Sequence, residues 1–359
     1  MRGLSLAGLL ALAGCYSGVE TPQETDASAG STGTASEGGG VGPGSGASGA
    51  ATGGADADDG VDGDGTIDGG ATTDAPSTDG DSTGEPGPHP GEVELMCNRW
   101  TSDRADLDEG TWSGSVASCD PGDISASGRA NALRLLNLQR FMVGLPEVST
   151  DPGRDASAQA CALMMHANGS LSHNPPMGWT CYSPDGAGAA GSSNISTGPG
   201  VLSVDLYMVD PGNPTTLGHR RWILSNSLGP VGLGSTSSYS CMWVIGGGGG
   251  GSNAWTAWPA PGPFPIEAVD PLGFSSLDET GWSIQSDGID LSGAQVTITT
   301  GAGEPRPVSV TVLAGGYGSS TAISMIPQGW STEVGTTYHV QVDGVGMPIE
   351  YDVHVVDCG

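Results

Sequence analysis

The chain has 359 residues, of which 63 are Gly, and carries a net charge of −30. Its ten basic residues are all Arg, scattered along the chain, so no basic face is available for phosphate backbones and nucleic acid is excluded as a partner. A charge of that size keeps a protein soluble and apart from its copies without saying anything about fold.

The N-terminus reads as an export signal, residues 1–14. Arg2 supplies the positive end and Leu4 to Leu12 a short apolar stretch, well under the roughly 20 residues that span a bilayer. It ends in Leu12-Ala13-Gly14-Cys15. That sequence resembles a bacterial lipobox, which implies cleavage before Cys15, a diacylglycerol on its sulfur, and a place on the cell envelope, with the outer membrane or cell surface as destination. Tyr16 and Ser17 follow, with no Asp to suggest retention at the inner membrane. Residues 15–92 then read as a tether. Residues 16–92 are Gly, Ser, Thr, Ala and Asp with 15 acidic residues and no Arg, a composition that cannot bury enough apolar surface to offset chain entropy. Asp62-Gly-Asp-Gly-Thr-Ile-Asp68 has the start of a calcium loop but lacks the later carboxylate, so it reads as acidic linker.

Six cysteines follow Cys15: Cys97, Cys119, Cys161, Cys181, Cys241 and Cys358. An even set without CxxC or CxxH spacing in an exported chain reads as three disulfides, their pairing open among fifteen connectivities. The folded part begins near 93. Ala132, Leu135, Leu136, Gln139 and Met142 recur at helical spacing, predicting a helix that starts after Ser125 or Ser127 and stops at Gly144-Leu-Pro146. A second helix follows Asp151-Pro152, with Ala156, Ala160, Leu163, Met164 and Ala167 inward, and ends at Asn168-Gly169. Short strands are expected at 231–233 and 241–245, before a loop of six glycines, 246–251. Residues 251–279, with Trp258-Pro-Ala-Pro-Gly-Pro263, read as a Pro- and Trp-rich connector, or alternatively as a strip for carbohydrate or peptide. From about 280 the pattern is β: 282–284, 296–299, 308–313, 338–342 and 351–356, separated by Gly, Pro and Asp turns. Several strands over 280–359 suggest an immunoglobulin-like sandwich, with a small barrel as the alternative.

The stretch 135–173 contains Asn137, Arg140, Gly144-Leu-Pro146, Ala158-Gln159, Ala162 and Leu171-Ser-His173; Ser192-Ser-Asn-Ile-Ser196 and Gly218-His-Arg-Arg-Trp-Ile-Leu224 follow in order. Together they resemble the CAP superfamily, also called SCP-like, over about 125–245. The resemblance implies an α-β-α sandwich for residues 93–250, and hence an α+β chain in which a CAP-like sandwich precedes an all-β one. It also implies a central groove with two His and two Glu able to bind a divalent cation such as zinc. His173 and His219 match the two His. Ser193 stands where one Glu is expected, Asn194 keeps its neighbour, and Asp205 is the first and Asp210 the second candidate for the other acid. Asp185, Asp205 and Asp210 are the only carboxylates between Ala156 and Ile266, so the matched positions supply at most His173, His219 and one Asp. Three such ligands suffice for Zn²⁺ with an open position.

Catalysis has one other candidate set, Ser193 with His173 or His219, but no GxSxG elbow accompanies it. His166 is expected on the exposed side of its helix, His339 and His354 among the strands, and His89 in the tether. Of Arg220 and Arg221, one is expected to pair with a nearby Asp while Trp222 packs inward; an anionic ligand head group is the alternative. The reading favours a lipid-anchored binding module whose groove takes a small apolar ligand or an extracellular protein or peptide. The competing reading is a metal-assisted or Ser–His hydrolase in the same groove.

Overall fold

The computed structural model describes residues 89–359. The expected signal peptide, Cys15, the bulk of the expected tether and the Asp62–Asp68 stretch lie outside the described residues.

The first element is a helix the sequence pattern does not announce, α1 (Pro90–Arg104). Only Met96 and Trp100, one turn apart, are buried on it, while Leu95 is exposed, so the apolar stripe is too narrow to show as periodicity. The two predicted helices follow. Helix α2 (Ala126–Met142) is capped by Ser125, whose hydroxyl accepts from the Gly128 amide. Helix α3 (Pro152–Asn168) is capped by Asp151 and closed by Gly169 in the left-handed conformation, φ 59°. After these come α4 (Pro184–Ala190), β1 (Ser193–Ser196), α5 (Gly200–Val209), α6 (Gly218–Ile223), β2 (Gly232–Ser235) and β3 (Ser240–Trp243).

Strands β1, β3 and β2 form an antiparallel sheet in that order. Neighbouring residues of β3 point to opposite faces, as a strand requires. Cys241 packs with Ala158, Ala162 and Met165 of α3 and Ala189 of α4. Met242 packs with Leu135 and Leu136 of α2 and Val204 of α5. The sheet is therefore sandwiched between two helical layers. Helix α3 lies so close to β2 that a Cβ on Gly234 would stand 2.1 Å from the Ala158 carbonyl carbon; only Gly fits there.

The second half is a β-sandwich. Its strands are β4 (Thr256–Trp258), β5 (Gly262–Pro265), β6 (Trp282–Ser286), β7 (Gln295–Thr300), β8 (Val308–Val312), β9 (Thr321–Pro327), β10 (Thr337–Asp343) and β11 (Ile349–Val356). A four-residue helix, α7 (Leu277–Thr280), precedes β6 and carries a capping box between Ser276 and Glu279. One sheet runs β5-β11-β10-β7 and the other β4-β6-β9-β8; β5 and β11 are the parallel pair. The sheets meet through side chains such as Trp282 of β6 and Tyr338 of β10, whose rings lie edge to face at 5.4 Å.

Residues 251–279 are thus more than a connector: β4 and β5 sit on edges of opposite sheets, joined across a cis Trp258–Pro259 bond. Trp258 is buried against Phe264 inside the sandwich, which leaves no exposed strip of Trp rings there. The sequence masks these strands because β4 and β5 are three and four residues long and Pro-rich, a composition tolerated at sheet edges.

One hydrophobic core runs from α1, α2 and α5 into the sandwich, through Tyr207, Ile223, Trp258, Ile284 and Val353. All six cysteines expected to pair do so: Cys97–Cys358, Cys119–Cys181 and Cys161–Cys241. The first fastens α1 to the end of β11, and the third fastens α3 to β3. No helix among the described residues is long and apolar enough to cross a membrane.

Candidate functional site

His219 is held by a carboxylate, and that carboxylate is Asp210. Helix α5 ends at Asp210, which adopts the left-handed conformation with φ 57° and ψ 48° and turns its side chain back over the start of α6. Asp210 Oδ2 accepts the backbone amides of His219 at 3.0 Å and Arg220 at 3.4 Å, two of the amides left unpaired where α6 begins. Oδ1 faces His219 Nδ1 at 2.8 Å and accepts from Asn213 Nδ2 at 2.6 Å. A carboxylate can only accept, so Nδ1 of His219 carries the proton and Nε2 is the acceptor nitrogen of the neutral ring. The Asp210 side chain is fully shielded from solvent, at 0% exposure, which these four donors make tolerable.

The ring is fixed from other sides too. Tyr207 lies against His219 at 5.1 Å between ring centres. Asn194, on β1, donates from Nδ2 to the His219 carbonyl at 3.0 Å, and the Tyr207 hydroxyl donates to the Asn194 carbonyl at 3.1 Å. Gly218 is required at the start of α6, because a Cβ there would come within 2.9 Å of the Tyr317 ring. Tyr317 belongs to the loop after β8, so the sandwich forms one wall of this segment.

His173 lies in the turn beyond α3. Its Nδ1 stands 2.8 Å from the Ala190 carbonyl, which can only accept, so here too the proton is on Nδ1. Burial pushes the His173 pKa down; the Ala190 hydrogen bond opposes this, and the proximity of His219 lowers it further. His173 is therefore a neutral imidazole within electrostatic reach of His219.

The remaining candidates separate from this pair. Asp205 does not join the histidines: its two oxygens accept from Arg104 Nη1 at 3.0 Å and Nη2 at 2.7 Å. Five residues along α5, at about 100° each, put Asp205 and Asp210 on different faces. The face holding Asp205 looks toward α1, the helix absent from the sequence pattern. Ser193 is buried in β1, and its hydroxyl has no hydrogen-bond partner among the described residues. Neither histidine is paired with it, so the Ser–His set has no nucleophile–base contact.

These positions test the cation site that the family resemblance implies. Each imidazole donates Nδ1–H to a carboxylate or carbonyl, which is the outer-shell arrangement of metal-ligating histidines. The set nevertheless stops at two. Among the described residues no three His, Cys, Asp or Glu side chains come together to hold a metal ion. The expected trio of His173, His219 and Asp205 is corrected: Arg104 occupies Asp205, and Ser193 replaces the second acid.

Arg220 and Arg221 also differ from expectation, since neither guanidinium pairs with a carboxylate side chain among the described residues. Both are buried and point across to the sandwich. Arg220 donates to the carbonyls of Met208, Val209 and Gly281 and to Thr280 and Ser283. Arg221 donates to the carbonyls of Thr216, Ala314 and Ser319 and to the Ser319 hydroxyl. Desolvation lowers both pKa values to about 10, still far above neutral, so both remain cations. They join the two halves of the molecule and leave no donors for an anionic ligand. Trp222 packs half-buried against the core, as expected.

The other histidines lie elsewhere. His166 is half-buried between the rings of Trp112 at 5.4 Å and Tyr239 at 5.7 Å, and is not on an exposed face. His339 sits between Asp352 and Glu350, His354 meets Thr337 at 2.9 Å, and His89 is exposed at the start of α1. Sequence reasoning missed the parts played by Asn213, Tyr207 and the Ala190 carbonyl. Asp210-Pro-Gly-Asn213 is a strong turn sequence, and it was the one available sign that Asp210 leaves its helix and turns back.

Residues 133–245 match the model of the CAP family, described as the cysteine-rich secretory protein family. No curated protein and no solved structure matches the chain. The matched span contains His173, Ser193, Asn194, Asp205, Asp210 and His219, and it covers the three-stranded sheet with α3 to α6 and most of α2. The chain carries a CAP superfamily domain over residues 133–245, within an α+β architecture that continues into a β-rich region.

Proposed function

We propose that this chain is an extracellular binding module, tethered to the cell envelope through a lipid on Cys15, whose CAP groove presents His173 and His219 to a ligand. The observation that carries this reading is the locking of both imidazoles. Asp210 and the Ala190 carbonyl fix the Nδ1 proton of each ring, which sets the tautomer and the orientation of both imidazoles. Polar groups fixed in this way orient a ligand. A small molecule with an apolar body and a hydroxyl or amide donor fits this chemistry, as does an extracellular peptide. In this reading residues 15–92 are the tether, and the sandwich, taken as immunoglobulin-like, is a rigid wall and spacer joined to the CAP domain by Arg220 and Arg221.

Hydrolysis is the weaker reading because, among the described residues, the Ser193 hydroxyl bonds to neither histidine and no three metal-type side chains come together. Native mass spectrometry of the full exported chain tests the proposal. A bound small molecule or peptide, lost when His173→Ala and His219→Ala are combined, is the expected result. Turnover in a panel of peptides and esters, abolished by the same double change, would contradict it. Stoichiometric Zn²⁺ after dialysis, lost in the double variant, would instead assign the pair to a metal.

A further inference from the structure

Arg140 is a buried charge in the CAP domain that the site above does not use. It is 0% exposed. Nε donates to the Pro146 carbonyl at 2.8 Å, and Nη1 to the carbonyls of Ile223 at 2.8 Å and Ser225 at 3.0 Å. Nη2 has no hydrogen-bond partner, and no carboxylate pairs with the group among the described residues. Burial lowers its pKa to about 10, so it is a full cation at neutral pH. A buried cation with neither counter-ion nor a complete set of acceptors is costly, by several kcal/mol in general.

Arg140 lines a cavity of ≈ 140 Å³, together with Val148, Ser149, Leu228, Gly248 and Gly250. Much of its wall comes from the run of six glycines that begins at Gly246. The amides of Gly248 and Gly250 donate to nothing among the described residues, whereas Gly249 and Gly251 are bonded to the carbonyls of Ser227 and Asn226. Added Cβ atoms at Gly248 and Gly250 would meet nothing within 4 Å, so both positions face open space, whereas one at Gly249 would stand 2.2 Å from the Leu228 carbonyl oxygen. Ser149 is exposed at the mouth, and its hydroxyl makes no hydrogen bond among the described residues. A second guanidinium adds to the positive field: Arg154 abuts Gly246, where a Cβ would lie 2.6 Å from its Nη2, and it too lacks a carboxylate partner. The one acid lining the cavity, Glu147, is paired with Arg99 at 2.5 Å.

We infer that this cavity is a binding site for a small oxyanion, a carboxylate or a phosphate group, held by Arg140 Nη2, the amides of Gly248 and Gly250, and Ser149 Oγ. Arg supplies the planar donor that such oxygens take, and successive unpaired backbone amides make an anion-binding concavity. The glycines are what let the backbone approach the ligand.

The test titrates the full chain with inorganic phosphate and, separately, with acetate, at ionic strength fixed with chloride, and reads the thermal unfolding midpoint and calorimetric heat. The expected result is a saturable rise in midpoint with one or both anions, phosphate marking a phosphate site and acetate a carboxylate site. Ser149→Glu puts a like charge at the mouth, and Gly250→Pro deletes one amide donor. Each is expected to weaken anion binding at least tenfold, with the response read against that variant's own anion-free midpoint. Arg140→Lys, which loses the planar fork, is expected to weaken it similarly if it folds. A midpoint rise no larger than chloride gives, or phosphate and acetate responses unchanged in both Ser149→Glu and Gly250→Pro, would overturn the assignment.

Discussion

Replacing Arg220 with Met tests whether buried guanidinium groups join the CAP domain to the sandwich. Met fills much of the volume of the arginine stem, so the change removes donors and charge rather than opening a large cavity. Arg220 Nε lies 2.6 Å from the Met208 carbonyl, Nη1 2.7 Å from that of Gly281 and Nη2 3.1 Å from that of Val209. The Thr280 and Ser283 hydroxyls can rotate toward other partners, but the three carbonyls cannot. A buried acceptor left without its donor costs about 1–3 kcal/mol, which gives roughly 6 kcal/mol for three. Relief from keeping an unpaired cation out of water returns part of that, leaving a net loss of about 4 kcal/mol. That is a large fraction of the roughly 5–15 kcal/mol by which domains are stable. Urea unfolding followed by tryptophan fluorescence, with disulfides intact, is the assay. With a slope near 3 kcal/mol/M the midpoint is expected to fall by about 1.3 M. Arg220→Lys, which keeps the charge but not the fork, is expected to lose about half as much. A loss below about 1 kcal/mol in Arg220→Met would refute the argument that these carbonyls depend on the guanidinium.

The remaining expectations concern pH, charge and covalent ties. Burial lowers the folded pKa of His173 below its ordinary 6.5, so the unfolded chain takes up its proton first. Its contribution to stability is complete above pH 6.5 and is lost as pH falls through that value toward the lower folded pKa; His173→Gln is expected to flatten that limb of a stability–pH curve. Asp205→Asn breaks a largely buried bidentate pair with Arg104 and is expected to cost about 2 kcal/mol in urea unfolding, while leaving any ligand mass shift unchanged, since Asp205 is apart from the histidines. Replacing Cys97 and Cys358 together with Ser removes a tie across 261 residues and is expected to cost about 4 kcal/mol. Cys15→Ser is expected to move the chain from the membrane fraction to the soluble fraction.

What could be read beforehand follows what is local. The caps of α2 and α3 are legible because Ser125, Asp151 and Gly169 act within four residues of themselves. The proximity of His173 and His219 is legible through the resemblance, since motif order survives even where individual residues change. Sequence matching puts Asp205 ahead of Asp210 because the two lie close together at the end of one helical pattern and the deciding contact is remote. Asp205 turns to α1, whose buried face is only two residues wide, and no spacing argument reaches across the 101 positions between Arg104 and Asp205. Strand β9 went unread for a different reason. Residues 322 to 325 are all buried, and the apolar neighbours Ala322-Ile323 and Met325-Ile326 break the alternation of apolar and polar that marks a half-buried strand. The same holds for Arg220 and Arg221, whose charge suggests acids while their burial selects carbonyls.

The most direct test of the central claim is ¹⁵N NMR of the imidazole nitrogens in the full chain at pH 8.5, above the ordinary histidine range. The account predicts that His173 and His219 both carry the proton on Nδ1, with Nε2 as the bare nitrogen. In Asp210→Asn the amide oxygen must stay on the backbone amides of His219 and Arg220, which turns the amide NH₂ toward His219 Nδ1. That donor forces the proton to Nε2, so the variant is expected to switch the His219 tautomer and leave His173 unchanged. A proton on Nε2 of His219 in the native chain, or a His219 tautomer indifferent to Asp210→Asn, would contradict it.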